Sequence, residues 1–391
     1  MSYQSGGYKP VETGVNGSSN MMEPETPTWK KWTYGLSAVA VVGMIAAGIG
    51  MTTKEGQAVE PEPETGIKKL FDEHNRYVLE DYDAKPTFAS FLPGVAGLYG
   101  KPVWSFYVNR GQGIASFGAK SKDYPILEFN AANKAYQLTP YIGFRTFIQA
   151  SRGRTSFDVE PFNPANSRSL DEDAEDQDEL PKRIMYVGPN EFEVKEIDSE
   201  HGLETSAKYI VLPEEDFAAL VRRTTLNNTG DSDLTISVLD GLSKLEPVGG
   251  KLDWGLKNMG RTLEGWFGVY HVDDTLNMPF YRMSTETSDE ARVKIEKAGH
   301  YVISLLEDDE KQPQLLPIIY DTNAVFGQDT SLLEPKVLQT KTISDVVEGA
   351  QYGDAKTSSA FSAVQDVVLA PGESITIATF YGKADEIGDV A

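Results

Sequence analysis

The residues best suited to chemistry lie together in Asn109-Arg110-Gly111-Gln112-Gly113. Two side-chain amides and a guanidinium supply donors that could reach a sugar or a partner domain. The glycines let the backbone turn with positive φ or approach another group closely. Two readings stand: a turn that presents these donors to a ligand, or a glycine-bearing hairpin whose Arg110 pairs with a surface acid. Arg145, in GFRTF, is open in the same way. Trp104 and Trp266 carry faces that stack on sugars, yet each sits in an apolar run that equally suits a core.

Composition removes other chemistries. With no cysteine among 391 residues there is no disulfide, thiolate nucleophile or Cys-based zinc site. The four histidines, His74, His201, His271 and His300, include no pair at ligand spacing, so no metal site is expected. The net charge of −23 argues against nucleic acid, which attracts clustered Lys and Arg. Carboxylates are abundant, but no tight motif surrounds any one of them.

The segment that must position these residues, Lys101 to Phe147, is dense in aromatic and β-branched residues. It reads as an antiparallel meander with strands at Val103–Val108, Ile114–Phe117, Ile126–Phe129 and Gly143–Ile148. Beyond Thr87, short β-rich runs recur between Gly, Pro, Asn and Asp. Alternation is clean in Leu234–Val238, Tyr301–Leu305 and Ile375–Ile377, with a hairpin loop at Asn227–Asp233 and a turn at Pro371-Gly372. The pattern predicts a mainly β fold, antiparallel sheets packed face to face. Helices are expected at Gly66–Leu79, Pro213–Val221 and Leu252–Gly265, and an acidic insertion loop at 163–181.

The N-terminal region divides by composition. Residues 1–28 read as a disordered tail, 29–52 as a transmembrane anchor and 53–65 as an acidic Pro-rich linker to a domain over 66–391. Within the anchor, Thr33–Met51 carries no charge and spans roughly 28 Å as a helix. Trp29, Trp32 and Tyr34 suit a membrane interface. Lys30 and Lys31 place the N-terminus in the cytosol and the large domain in the lumen or outside. Asn227-Asn228-Thr229 fits the N-glycosylation pattern that such a location permits.

Several blocks recur in a family order: RYVLEDYDAKPTFASFLPGVAG, PVWSFYVNRGQGIASFG, PILEFNAANKAYQ, GFRTFI, LKNMGRTLEGWFGVY, PFYRMSTETSDEA and LAPGESITIATFYG. Over roughly Arg76 to Gly382 the chain resembles the N-terminal part of cellobiose-phosphorylase-like glycoside phosphorylases, in particular the β-1,3-glucan (laminarin-type) oligosaccharide phosphorylases. The resemblance implies a large β-sandwich (supersandwich). It also implies a β-glucan or cello-oligosaccharide ligand, inorganic phosphate as co-substrate, no cofactor, and a catalytic helical domain or homodimer partner. In that family the general acid sits mainly in a helical toroid after the sandwich. The chain reaches Ala391 soon after its last strand, so the expectation is a non-catalytic sandwich, a fragment or split product of a membrane-anchored enzyme, with no catalytic residue of its own. The alternative is a membrane-tethered carbohydrate-binding or structural surface domain.

Overall fold

A computed structural model describes residues 70–119, 124–168, 180–245, 266–271, 278–285, 291–308, 311–350 and 358–390. The expected anchor, linker and Leu252–Gly265 helix lie outside them. Among the described residues, no helix is long and apolar enough to cross a membrane.

In chain order the elements are β1 (Tyr77–Glu80), β2 (Ala89–Pro93), β3 (Val103–Val108), β4 (Ile114–Ala119), β5 (Pro125–Leu127), α1 (Ala132–Ile142), β6 (Phe144–Arg152), β7 (Thr155–Val159), β8 (Lys182–Val187), β9 (Glu191–Asp198) and β10 (Leu203–Val211). There follow β11 (Ala219–Asn228), β12 (Leu234–Leu242), β13 (Phe267–His271), β14 (Pro279–Met283), β15 (Gly299–Asp308), β16 (Lys311–Leu315), β17 (Ile318–Asp321), α2 (Thr322–Phe326), α3 (Ile343–Gly349), β18 (Ser358–Leu369) and β19 (Ser374–Ala384). Among the described residues these strands form three antiparallel sheets. The largest runs β1-β8-β9-β10-β11-β19-β15-β14-β13, with β16 beside β15; the second runs β17-β18-β12-β6-β7, and the third β2-β3-β4-β5.

Alternation along the strands decides what lies between the layers. On β6, Phe144, Ile148 and Ala150 point into the interior, while Phe147 faces the other way and packs on Val325 and Phe326 of α2 and Ile343 and Val346 of α3. The interior holds two apolar clusters. One is centred on Phe144, Tyr209, Leu242 and Tyr381, the other on Ile148, Leu226, Ile236, Val238 and Ile377. Each such side chain contributes about 1.5–3 kcal/mol on burial.

Between the clusters runs a polar belt. Arg222 of β11 donates to Asp240 of β12, both fully buried, and to Gln112 Oε1 in the β3–β4 turn. Thr146 of β6 donates to Asp240 at 2.7 Å and accepts from Gln112 Nε2 at 2.8 Å. The guanidinium lies 5.1 Å from the Phe144 ring centroid. Burial works most strongly against the Arg222 charge, but Asp240 together with Tyr209 and Tyr381 outweighs it, so its pKa stands above the ordinary value. One ion-pair network therefore ties all three sheets.

The mainly β, antiparallel expectation holds; several details are corrected. Within the expected Gly66–Leu79 helix, residues 70–76 form a turn leading into β1. Asp72 accepts from the backbone of His74 and Arg76 and from Arg76 Nε, and Asn75 adopts φ 59°; local turn chemistry outweighs apolar spacing. The Pro213–Val221 helix is replaced by a turn at Glu214 (φ 60°) and the start of β11. The meander stops at β5. Helix α1 intervenes, and the expected fourth strand becomes β6 of another sheet. Asn227–Asp233 is no hairpin, because β11 pairs with β10 and β19 whereas β12 pairs with β6 and β18. Asn228 fixes this crossing by donating to the Ser232 and Leu369 carbonyls. Of the expected acidic loop, Pro164–Asn166 forms a 3-10 turn capped by Asn163, and residues 169–179 lie outside the description.

Three outcomes follow. Asp240→Ala strands a buried guanidinium and is expected to cost about 3–5 kcal/mol, measured by denaturant unfolding; a loss under 1 kcal/mol would remove the network from its structural role. Gly113 has φ +86°, and a Cβ there would stand 2.4 Å from Phe192 Cε1. Gly113→Val is therefore expected to lower stability by about 1–3 kcal/mol in a thermal melt, and an unchanged melting temperature contradicts this. His300 is fully buried; burial first and Lys383 second push its pKa down to about 3, against a hydrogen bond that the ring donates to the Pro125 carbonyl. The unfolded chain then takes up the proton first, so this contribution is complete above about pH 6.5 and declines as pH falls toward 3. Stability should drop by up to about 1.4 kcal/mol per pH unit below pH 6.5, and His300→Gln should flatten that slope between pH 6.5 and about 5. Parallel slopes would rule it out.

Candidate functional site

The β3–β4 turn forms as expected, with Val108 N donating to Gly113 O at 2.7 Å and Gly113 N to Arg110 O at 3.0 Å. Its amides, however, face inward. Asn109 is 2% exposed; its Nδ2 donates to the Tyr82, Lys85 and Pro86 carbonyls, and its Oδ1 accepts from Phe88 N at 2.7 Å. Gln112, also 2% exposed, is spent on Thr146 and Arg222. Both therefore brace the sandwich, in line with the structural one of the two readings of this turn. Arg110 alone of the three is exposed.

Arg145 is likewise committed. Its Nε and Nη2 grip Glu160 at 2.6 and 2.9 Å, and its other donors reach the Pro140, Leu332 and Leu333 carbonyls. All five N–H groups are used, leaving none for a sugar. A cavity of about 310 Å³ lies beside Gly111, Arg145, Glu160 and Phe162, but Arg145 and Gln112 are already satisfied there. Trp104 is half-buried among Phe91 and Phe129, with ring centroids 6.0 and 6.2 Å away, a packing role. Trp266 is also half-buried. Asn227 lies within β11, paired on both sides, and its side-chain carbonyl is buried.

A larger opening lies elsewhere. A cleft of about 660 Å³ is walled by Tyr301 and Ile303 of β15, by Lys383 and Ala384 of β19, and by Asp216, Phe217 and Ala218 before β11. Tyr124, before β5, and Lys101, before β3, border it, and Asp385 and Asp389 stand where the chain leaves β19. Three aromatic rings converge here. Phe217 meets Tyr301 edge-on with centroids 6.3 Å apart, and Tyr301 donates its hydroxyl to Ala218 O at 3.4 Å. Tyr301 lies against Gly382 in the paired register; a Cβ at Gly382 would stand 2.0 Å from Tyr301 Cζ, so glycine there makes room for the ring. Burial pushes the Tyr301 hydroxyl well above its ordinary pKa, keeping it a neutral donor. Tyr124 and Phe217 are 53% and 44% exposed, so part of each ring borders the open cleft.

The arrangement suits binding: apolar ring faces flanked by carboxylates that accept hydroxyl protons and lysines that donate. Among the described residues, no group of three His, Asp or Glu could hold a metal. Sequence reasoning missed this cleft because its residues come from five separate segments, with Tyr301 in a strand-like run and Phe217 within the expected Pro213–Val221 helix.

No family model matches the chain, and no curated protein sequence does. Among solved structures, a polysaccharide lyase is similar with TM-score 0.35 and 9% identity over 73% of this chain, which spans 33% of the lyase. A putative aldose 1-epimerase from Klebsiella pneumoniae gives TM-score 0.28 and 8% identity, covering 81% of this chain and 89% of that one. A TPR-domain containing protein from Parabacteroides distasonis gives 0.29 and 12%, covering 79% and 56%. At such TM-scores these likenesses carry no argument about function.

Proposed function

We propose that this protein is a carbohydrate-binding β-sandwich whose cleft between Tyr124, Phe217 and Tyr301 holds a β-glucan or cello-oligosaccharide. The observation that carries the reading is the cleft itself. Two exposed rings and a third fixed by Gly382 line a space within the range of about 300–1,000 Å³ usual for ligand sites. Exposed aromatic rings on a rigid antiparallel scaffold offer flat apolar faces to sugar rings, and Lys101, Lys383 and Asp216 at the rim match sugar hydroxyls. The resemblance in sequence extends this to the N-terminal, non-catalytic part of a membrane-anchored glycoside phosphorylase. Catalysis, with inorganic phosphate as co-substrate, then falls to a helical partner domain. The charge pattern around Lys30 and Lys31 supports a single-pass orientation with the sandwich outside the cytosol.

A second reading, a tethered saccharide-binding domain that works without a catalytic partner, is favoured by one feature: the cleft is lined by this chain's own residues. Calorimetric titration with laminari- and cello-oligosaccharides tests the shared core of both. Tyr124→Ala and Phe217→Ala each remove an exposed ring and should weaken binding roughly tenfold, about 1–1.5 kcal/mol, with little change in melting temperature. Absence of binding by the parent protein, or affinity indifferent to both substitutions, overturns the proposal.

A further inference from the structure

The buried cations of this sandwich are matched. Arg222 meets Asp240, Arg183 meets Glu196, Arg145 meets Glu160, and Lys244 donates to the Tyr141 hydroxyl. Lys383 differs. It is half-buried on β19 and lines the cleft, yet among the described residues it has no ion pair or hydrogen bond. Its Nζ stands 6.0 Å from the centroid of the Tyr124 ring. An amine partly withdrawn from water with no carboxylate in direct contact is costly as an ammonium.

The groups around it do not change that balance. Asp385 and Glu296 favour its charge, but burial outweighs them and holds the amine below its ordinary value of 10.5. His300, opposite on β15, is buried and neutral, and Tyr301 keeps its proton. An anionic ligand is a poor match, because Asp216, Asp385 and Asp389 line the cleft beside Lys101 and Lys383. A neutral electrophile meets no such repulsion.

We propose that Lys383 is a nucleophilic lysine, the covalent attachment site for an aldehyde entering the cleft. The free amine's lone pair attacks the carbonyl carbon, the π electrons move to oxygen, and the oxygen takes a proton. The resulting carbinolamine loses its hydroxyl as water and its N–H proton, leaving an imine. Amine plus aldehyde gives imine plus water, with no oxidant or reductant. The open-chain aldehyde of a reducing sugar belongs to the class that fits, although the inference stands on Lys383 and its surroundings and not on saccharide binding.

The test uses glyceraldehyde with the full-length protein and sodium cyanoborohydride, which reduces the imine to a stable secondary amine. Labelled sites are mapped by mass spectrometry of peptides. At neutral pH, Lys383 is expected to label at least about tenfold faster than the exposed Lys297 and Lys336, with half-maximal rate at a lower pH. A cleft-binding oligosaccharide should slow it. Lys383→Arg, which lacks the nucleophilic amine, should lose the fast phase. Labelling of Lys383 no faster than Lys297, or a fast phase that persists in Lys383→Arg, overturns the proposal. The first comparison needs only the unmodified sequence, so it holds even if the variant folds poorly. A result with fast labelling but no oligosaccharide titration would reject the saccharide reading and keep this one.

Discussion

The Arg222–Asp240 pair is the contact on which the architecture turns. Two opposite charges, each fully buried, sit where the ten-stranded sheet, the five-stranded sheet and the β3–β4 turn meet. Desolvating both ions costs several kcal/mol apiece, and the pair persists because its lone pairs and protons are all engaged: Thr224, Thr146, Gln112 and Tyr209 complete the network. Apolar contacts alone would let two sheets slide by a residue pair at modest cost. A charged pair with directional partners on three sheets allows one register. The same belt separates the two interior clusters, so the core is two apolar compartments joined by a polar seam.

How much of this was legible depends on whether a feature is local. The strands were readable because Leu234–Val238 and Ile375–Ile377 alternate in sequence as they do in space. Pairing was not. Nothing in Asn227–Asp233 reveals that its flanking strands belong to different sheets, since the information lies in Asn228 reaching Leu369. Helix α1 was missed because Pro140 stands inside it and Asn133 and Thr139 are weak helix formers. At the turn, the sequence correctly marked a special place, and Gly111 and Gly113 do adopt positive φ. The sequence left open what Asn109 and Gln112 do, because the hydrogen-bonding capacity that suits an amide to a sugar suits it equally to buried groups of the fold.

The cleft illustrates a division of labour between packing and exposure. Tyr301 is 4% exposed and held from three sides, whereas Tyr124 and Phe217 stand half in solvent beside it. A rigid ring next to two adaptable ones gives a surface already shaped before a ligand arrives, which lowers the ordering cost of binding. Its position at the end of β19, not on a long loop, keeps the polar rim fixed relative to the rings.

The place of β19 has a consequence for how the protein is made. It is the last of the described strands, yet it lies inside the large sheet between β11 and β15, where Asn227 pairs with Ser374 and Gly299 with Ala384. During synthesis, everything before it emerges with a vacancy down the middle of that sheet and two unsatisfied edges. Closure of this sheet must therefore wait until β19 has been made, and it joins segments far apart in sequence, a high-contact-order step of the slow kind. Until then, the exposed edges of β11 and β15 are open to pairing with other chains, so the growing polypeptide depends on being kept apart from its neighbours until β19 inserts.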